Sequence, residues 1–162
     1  MFEVLVFVYE HYWRGDACPE LQQLGRKLSA HGFDADEIQD ALTWLDGLHL
    51  AAQSMAPGDD DSPQGQAPAL QSACSMRVYS VAEQDHLGAQ CLGFVSFLES
   101  AGVLPAEMRE IVIDRAMAAP GNPVSLDDLK IIILMVYWSF GREPDALVLD
   151  ELCDPAEGRL AH

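Results

Sequence analysis

Apolar side chains recur along this chain at intervals of three and four residues, separated by short breaks rich in Gly, Pro, Ser and Asp. The stretch GFDADEIQDALTWL, residues 32–45, shows the pattern most fully. Ahead of it, Leu21, Leu24 and Leu28 keep helical spacing. A helix should therefore end near His31 and leave Gly32 where a left-handed residue turns the chain. Asp34 is placed to cap the next helix, with Glu37 three residues on as capping-box partner, and Phe33 and Ile38 take the two positions of a hydrophobic staple. Ile38, Ala41, Leu42, Leu45 and Leu48 continue along one side. The stretch reads as stop, turn and start, the joint of two helices.

Similar signs punctuate the rest of the chain. Ser80 with Glu83 forms a second capping box, and the helix behind it buries Leu87, Cys91, Phe94, Val95 and Leu98. Gly88 and Gly93 weaken that helix by roughly 1 kcal/mol each, which predicts close approach of a neighbouring helix. Gly102 ends it, Pro105 suits the first turn of the next, and Met108, Ile111, Val112 and Ala116 point inward. After the break Pro120-Gly121-Asn122-Pro123, Ser125 caps a helix with Asp128 at its third position and a Val124–Leu129 staple. Residues 131–138, IIILMVYW, are apolar nearly all round, so this helix belongs at the centre. A short helix is expected over residues 144–152. At the start, Val4, Val6 and Val8 fit a strand, while the length of the run and Glu10 permit a helix.

Between residues 51 and 73 periodicity stops. The composition turns to Pro, Gly, Gln, Ala and Asp, which marks a flexible linker. The run Asp59-Asp60-Asp61 lacks the alternate spacing of a calcium loop. The chain thus predicts an all-α fold: about six helices in helical hairpins around a central apolar helix, with one long flexible linker. Its organisation is an N-terminal helical subdomain over 1–50, an acidic Pro/Gly/Gln-rich linker over 51–73, and a C-terminal helical subdomain over 74–162.

Charge narrows the function. Nine Lys and Arg stand against 26 Asp and Glu, a net of −17, spread along the chain. Such a surface repels phosphate backbones and attracts basic partners. Only Arg26-Lys27 are adjacent cations, so direct nucleic-acid binding is not expected. The second helix of a helix-turn-helix over residues 32–45 would carry Asp36, Glu37, Asp40 and Asp46, where such a helix normally presents hydrogen-bond donors. Cys18, Cys74, Cys91 and Cys153 form no CxxC pair, which points to reduced thiols in a cytoplasmic protein. The apolar start has no basic residue ahead of it and no cleavage site, and the longest apolar run is too short to span a bilayer, so no membrane association is expected.

The segments MFEVLVFVYE, GFDADEIQDALTWL, MRVYS, CLGFVSFLE, EMREIVIDRAM and LDDLKIIILMV, in this order and spacing, resemble the Smg family of bacterial proteins. The match covers almost everything except residues 51–73. The resemblance implies a helical, bacterial, cytoplasmic protein and supports a helix over residues 2–13. It implies no activity, since none is assigned to the family. Members are often encoded beside DNA-processing proteins, a link to DNA transactions. A Gly-Phe turn followed by Ile and Ala-Leu also occurs in three-helix repeats of the RecX type, as a general way of joining helices.

Catalytic signatures are missing from the sequence: no Gly-rich phosphate loop, no HExxH, no Gly-x-Ser-x-Gly. His11, His31, His49, His86 and His162 show no metal-site spacing with Cys or carboxylates, and His31 suits a helix C-terminus as a cation. Cys91 lies on an apolar stripe and reads as a small buried hydrophobe. Trp44, Tyr79 and Trp138 read first as core aromatics. Glu107, Glu110 and Asp114 share one helix face at i, i+3 and i+7, either a solvated face or a docking surface for a basic partner. Arg77, Arg109 and Arg115 fit internal salt bridges or partner contacts. Trp44, Arg77, Glu107, Arg109, Glu110, Asp114 and Arg115 are therefore the candidate partner-binding residues, with no catalytic residue, metal ligand or cofactor assigned. They support a non-catalytic interaction or regulatory protein that docks a basic or nucleic-acid-associated protein. An enzyme of unrecognised type, or a nucleic-acid binder through the helix-turn-helix-like unit, is the alternative.

Overall fold

The computed structural model describes residues 1–12, 21–55, 77–142, 144 and 152. Among the described residues there are six helices and no strand. They are α1 (Phe2–Tyr12), α2 (Leu21–Ala30), α3 (Ala35–Met55), α4 (Val81–Ser100), α5 (Ala106–Met117) and α6 (Leu126–Ser139). The ambiguous opening run is helical, and it buries Val4, Leu5 and Val8 along one face.

The joint between α2 and α3 is built as its residues dictate. Gly32 takes φ +91°, and the N–H of Phe33 reaches back to the Leu28 carbonyl, closing the last turn of α2. Ile38 is buried and Phe33 packs beside the core, as a staple requires. Ser80 and Glu83 form their capping box: Ser80 Oγ accepts from the Glu83 N–H, and Glu83 accepts from the Ser80 N–H. Ser125 Oγ likewise accepts from the Asp128 N–H at 3.1 Å, over a buried Val124 and Leu129.

The last long helix, α6, buries Leu129 through Tyr137 except for the half-buried Ile131, and it packs on α1, α3, α4 and α5. With α2 against α3, and α5 against both α4 and α6, the chain forms hairpins around this helix. One hydrophobic cluster takes in Leu5, Leu24 and Leu48 together with Leu98, Val112 and Ile133, so the helices on both sides of residues 56–76 share a core.

Three details differ from expectation. Helix α3 runs on to Met55, so the start of the linker at residue 51 falls inside it. Ala51, Ala52 and Gln53 are good helix formers, and Ala51 packs against the core, which extends the helix past the compositional change. The rest of the linker, including Asp59 to Asp61, lies outside the described residues, as do Cys18, Cys74, Cys153 and most of the short helix over 144–152. Pro105 stands at the N-cap of α5, one residue ahead of its first turn. The glycines of α4 serve no close helix crossing. Gly93 is exposed with open space over it, while Gly88 takes φ +70° and ψ 165° and breaks the helical backbone. The break leaves the His86 carbonyl to accept the N–H of Val124 at 2.8 Å, which docks the α5–α6 connection into the kink. No helix among the described residues is long and apolar enough to cross a membrane.

Candidate functional site

Helix α5 is amphipathic in an unusual way, because a cation sits within its apolar arc. Arg109 lies between Met108 and Ile111 on the buried side, and its side chain is 3% exposed. A buried guanidinium needs partners for its donors. Its Nε and Nη2 donate to Glu110 Oε1 at 2.9 and 2.7 Å, and its Nη1 donates to Glu99 near the end of α4. Glu110 Oε1 also accepts from Arg77 Nε at 2.8 Å, and the other end of the Arg77 guanidinium holds Glu83 by two bonds. The result is a chain of alternating charge, Glu83–Arg77–Glu110–Arg109–Glu99. It fastens residues 77–80 and both ends of α4 to α5.

The electrostatics follow from this geometry. The bonds from Arg77, with those from Ser80, hold the Glu83 carboxyl down at about 2. For Glu110, burial pushes upward, but the bonds from Arg77 and Arg109 outweigh it and its carboxyl lies below the usual range. Bonding to Glu83 raises Arg77 further into its charged form. Tyr79 lies under the Arg77 guanidinium, 4.8 Å from its ring centroid.

A second seam joins α3 to α5. Trp44 is 4% exposed, and its indole N–H donates to the Arg115 carbonyl at 3.0 Å. It follows Ala41 by three residues and precedes Leu48 by four, so the buried stripe of α3 passes through it. The Arg115 guanidinium lies over Gly47, where a Cβ would come within 1.9 Å of Nη1, and it binds Asp114 through Nε and Nη2. Of the seven candidates, Trp44 and Arg109 therefore lie inside the protein. Arg77, Glu110 and Arg115 are part-buried in ion pairs, and Glu107 and Asp114 are exposed. Glu99 and Glu83 complete the arginine network. Glu83 carried a capping signal, whereas Glu99 is brought in only by the packing of α4 on α5.

Other candidate groups are structural. Cys91 is buried, contacts the Val124 carbonyl at 3.4 Å, and burial, with Asp128 nearby, pushes its thiol up to about 11, far from a nucleophile. Burial also raises the Tyr137 hydroxyl, which donates to the Val103 carbonyl. His86 bridges from α4 to the Ala116 carbonyl at the end of α5. Among the described residues, no group of three or more His, Cys, Asp or Glu could hold a metal ion.

The comparisons with known proteins cover the whole chain. A family described as "Protein of unknown function (DUF494)" matches residues 1–162. Proteins named "Protein Smg homolog" from Leptothrix cholodnii and Methylibium petroleiphilum are each 60% identical over 162 residues, all of both chains. The one from Bordetella avium is 48% identical over the same span, again all of both chains. No solved structure matches.

Proposed function

The chain belongs to the Smg family, and we propose that it acts as a cytoplasmic, non-catalytic interaction or regulatory protein that docks a basic, nucleic-acid-associated protein. The observation that carries this reading is how charge is partitioned. Arg109 and Lys130 are buried, and Arg77 and Arg115 are drawn into ion pairs, so four of the scarce cations contribute little to the surface. The outside keeps Asp34, Asp36, Asp40 and Asp46 around α3, Asp85 on α4, and Glu107 and Asp114 on α5. Arg26, Lys27 and Arg142 are the exposed cations among the described residues. The ion pairs also take up Glu83, Glu99, Glu110 and Asp114, so the acidic surface is what remains around α3, at Asp85 and at Glu107. That favours a basic protein groove and disfavours a phosphate backbone. The acidic outer side of α3 weighs against its use as a recognition helix.

The test is affinity capture on the immobilised full chain from nuclease-treated cytosol of its own species, with elution in salt steps. A nucleic-acid-associated protein retained after nuclease and released by moderate salt is the expected result. Its retention should fall with Glu107→Gln/Asp114→Asn or with Asp36→Asn/Asp40→Asn. Retention that neither pair diminishes, or none at any salt, sinks the proposal. A mobility shift of DNA at low salt would favour the helix-turn-helix reading instead.

A further inference from the structure

We propose that His11 and His31 form a two-imidazole site for a borderline divalent transition metal such as Zn²⁺ or Cu²⁺. His11 lies in the last turn of α1, and His31 immediately follows α2. Both are exposed, and their ring centroids are 6.3 Å apart. A metal–nitrogen bond of about 2.0–2.1 Å places an ion roughly 3.2 Å from the centroid of each ligating ring. Two rings on one ion are therefore about 4.5 to 6.4 Å apart, as the angle at the metal opens from a right angle to a straight line. The observed separation falls at the wide end of that range. A tetrahedral angle needs the rings about 1 Å closer, a shift that requires a change in χ1 at the exposed His31, the ring on which Phe7 is not stacked.

Two features of the surroundings suit ligation. His11 Nδ1 lies 2.8 Å from the Phe7 carbonyl, the outer hydrogen bond that metal-bound histidines usually make. With the proton on Nδ1, the lone pair is on Nε2. Phe7 stacks on His11 at 3.9 Å and lies against His31 at 4.6 Å, with Phe33 at its edge. An apolar wall therefore stands behind both imidazoles and sets the plane of His11. Neutral imidazole suits Zn²⁺, Cu²⁺ and Ni²⁺ rather than Ca²⁺ or Mg²⁺. Among the described residues no third ligand stands with the two histidines, and water would fill the positions they leave open. A bound ion would tie the end of α1 to the end of α2.

The test uses the tag-free full chain titrated with Zn²⁺ in a calorimeter and loaded with Cu²⁺ for electron paramagnetic resonance. One equivalent should bind. His11→Gln and His31→Gln should each weaken it about a hundredfold by loss of chelation, and His49→Gln should leave it unchanged. The Cu²⁺ spectrum should show two nitrogen ligands in the wild type and one in either variant. Both histidines are exposed, so metal-free melting temperatures should match the wild type and exclude misfolding. Zn²⁺ affinity indifferent to both substitutions, or a Cu²⁺ spectrum with oxygen ligands alone, overturns the site and assigns the ion to surface carboxylates.

Discussion

Replacing Arg109 by Met tests whether the charge network fastens α4 to α5. The substitution keeps most of the apolar stem and removes three donated hydrogen bonds, two to Glu110 and one to Glu99. Breaking a buried ion pair from one side costs about 3–5 kcal/mol, mainly because the remaining charge is stranded. Here the stranded carboxylates are Glu99 and Glu110, whose side chains keep 34% and 37% exposure, and Glu110 retains Arg77. Water can recover part of the loss, so the expected cost falls to about 2–3 kcal/mol. The assay is urea unfolding at pH 7, with an unchanged m-value as the sign that only stability moved. Adding Glu99→Gln should restore about 1 kcal/mol, a coupling typical of groups in direct contact. Arg109→Lys should recover only part of the loss, because an ammonium cannot span both carboxylates in the guanidinium's planar fork. If Arg109→Met costs less than about 0.5 kcal/mol, or if Glu99→Gln adds independently, the network is not what joins these helices.

Three further outcomes follow from the same geometry. Glu83 is held at about 2 against its ordinary 4.5, so its pairing stabilises fully above about pH 5 and is lost as pH falls through 2; Glu83→Gln should flatten the acid limb of an unfolding profile in that window. The two glycines of α4 should respond with opposite sign in thermal melts. Gly88→Ala forces a side chain into a backbone region reserved for glycine and should cost about 1–3 kcal/mol, whereas Gly93→Ala, exposed and unobstructed, should gain about 0.5–1 kcal/mol. Trp44→Phe removes the donor to the Arg115 carbonyl and should cost about 1–2 kcal/mol in urea unfolding, with Trp44→Leu costing more through lost volume.

Where local chemistry decides the backbone, the fold was legible in the sequence. The Gly32 turn, the Ser80–Glu83 box and the Ser125 cap each act within a few residues, and each appears where its side chains place it. The apolar run of α6 announced its central position because a helix without a polar face has nowhere else to go. Long-range packing was harder to read. The end of α3 was obscured because Ala and Gln serve both helices and linkers, and the contact of Ala51 with the core decides between them. Gly88 and Gly93 look alike in sequence, yet one breaks the helix and the other faces open space. Arg109 had a visible signal, since it lies three residues before Val112 and seven before Ala116 on the apolar arc. Only the packing of α4 on α5 reveals that Glu99 meets it. The exposed Glu107 and Asp114 carry no geometry that singles them out, and the pairing of His11 with His31 depends on how α1 and α2 pack.

The position of α6 also has a consequence for synthesis on the ribosome. Of the six described helices α1 is made before the others, and α6, one of its main partners, lies roughly 120 residues further on. At about 5–20 residues per second, that partner follows some 6–25 seconds later. During this interval Val4, Leu5 and Val8 have only part of their native cover, chiefly from α3. The nascent chain therefore presents a sticky N-terminal helix for much of its own translation. Its full burial must wait until α6 is made, and slowing translation across α5 and α6 should lengthen the time for which Val4, Leu5 and Val8 stay partly uncovered.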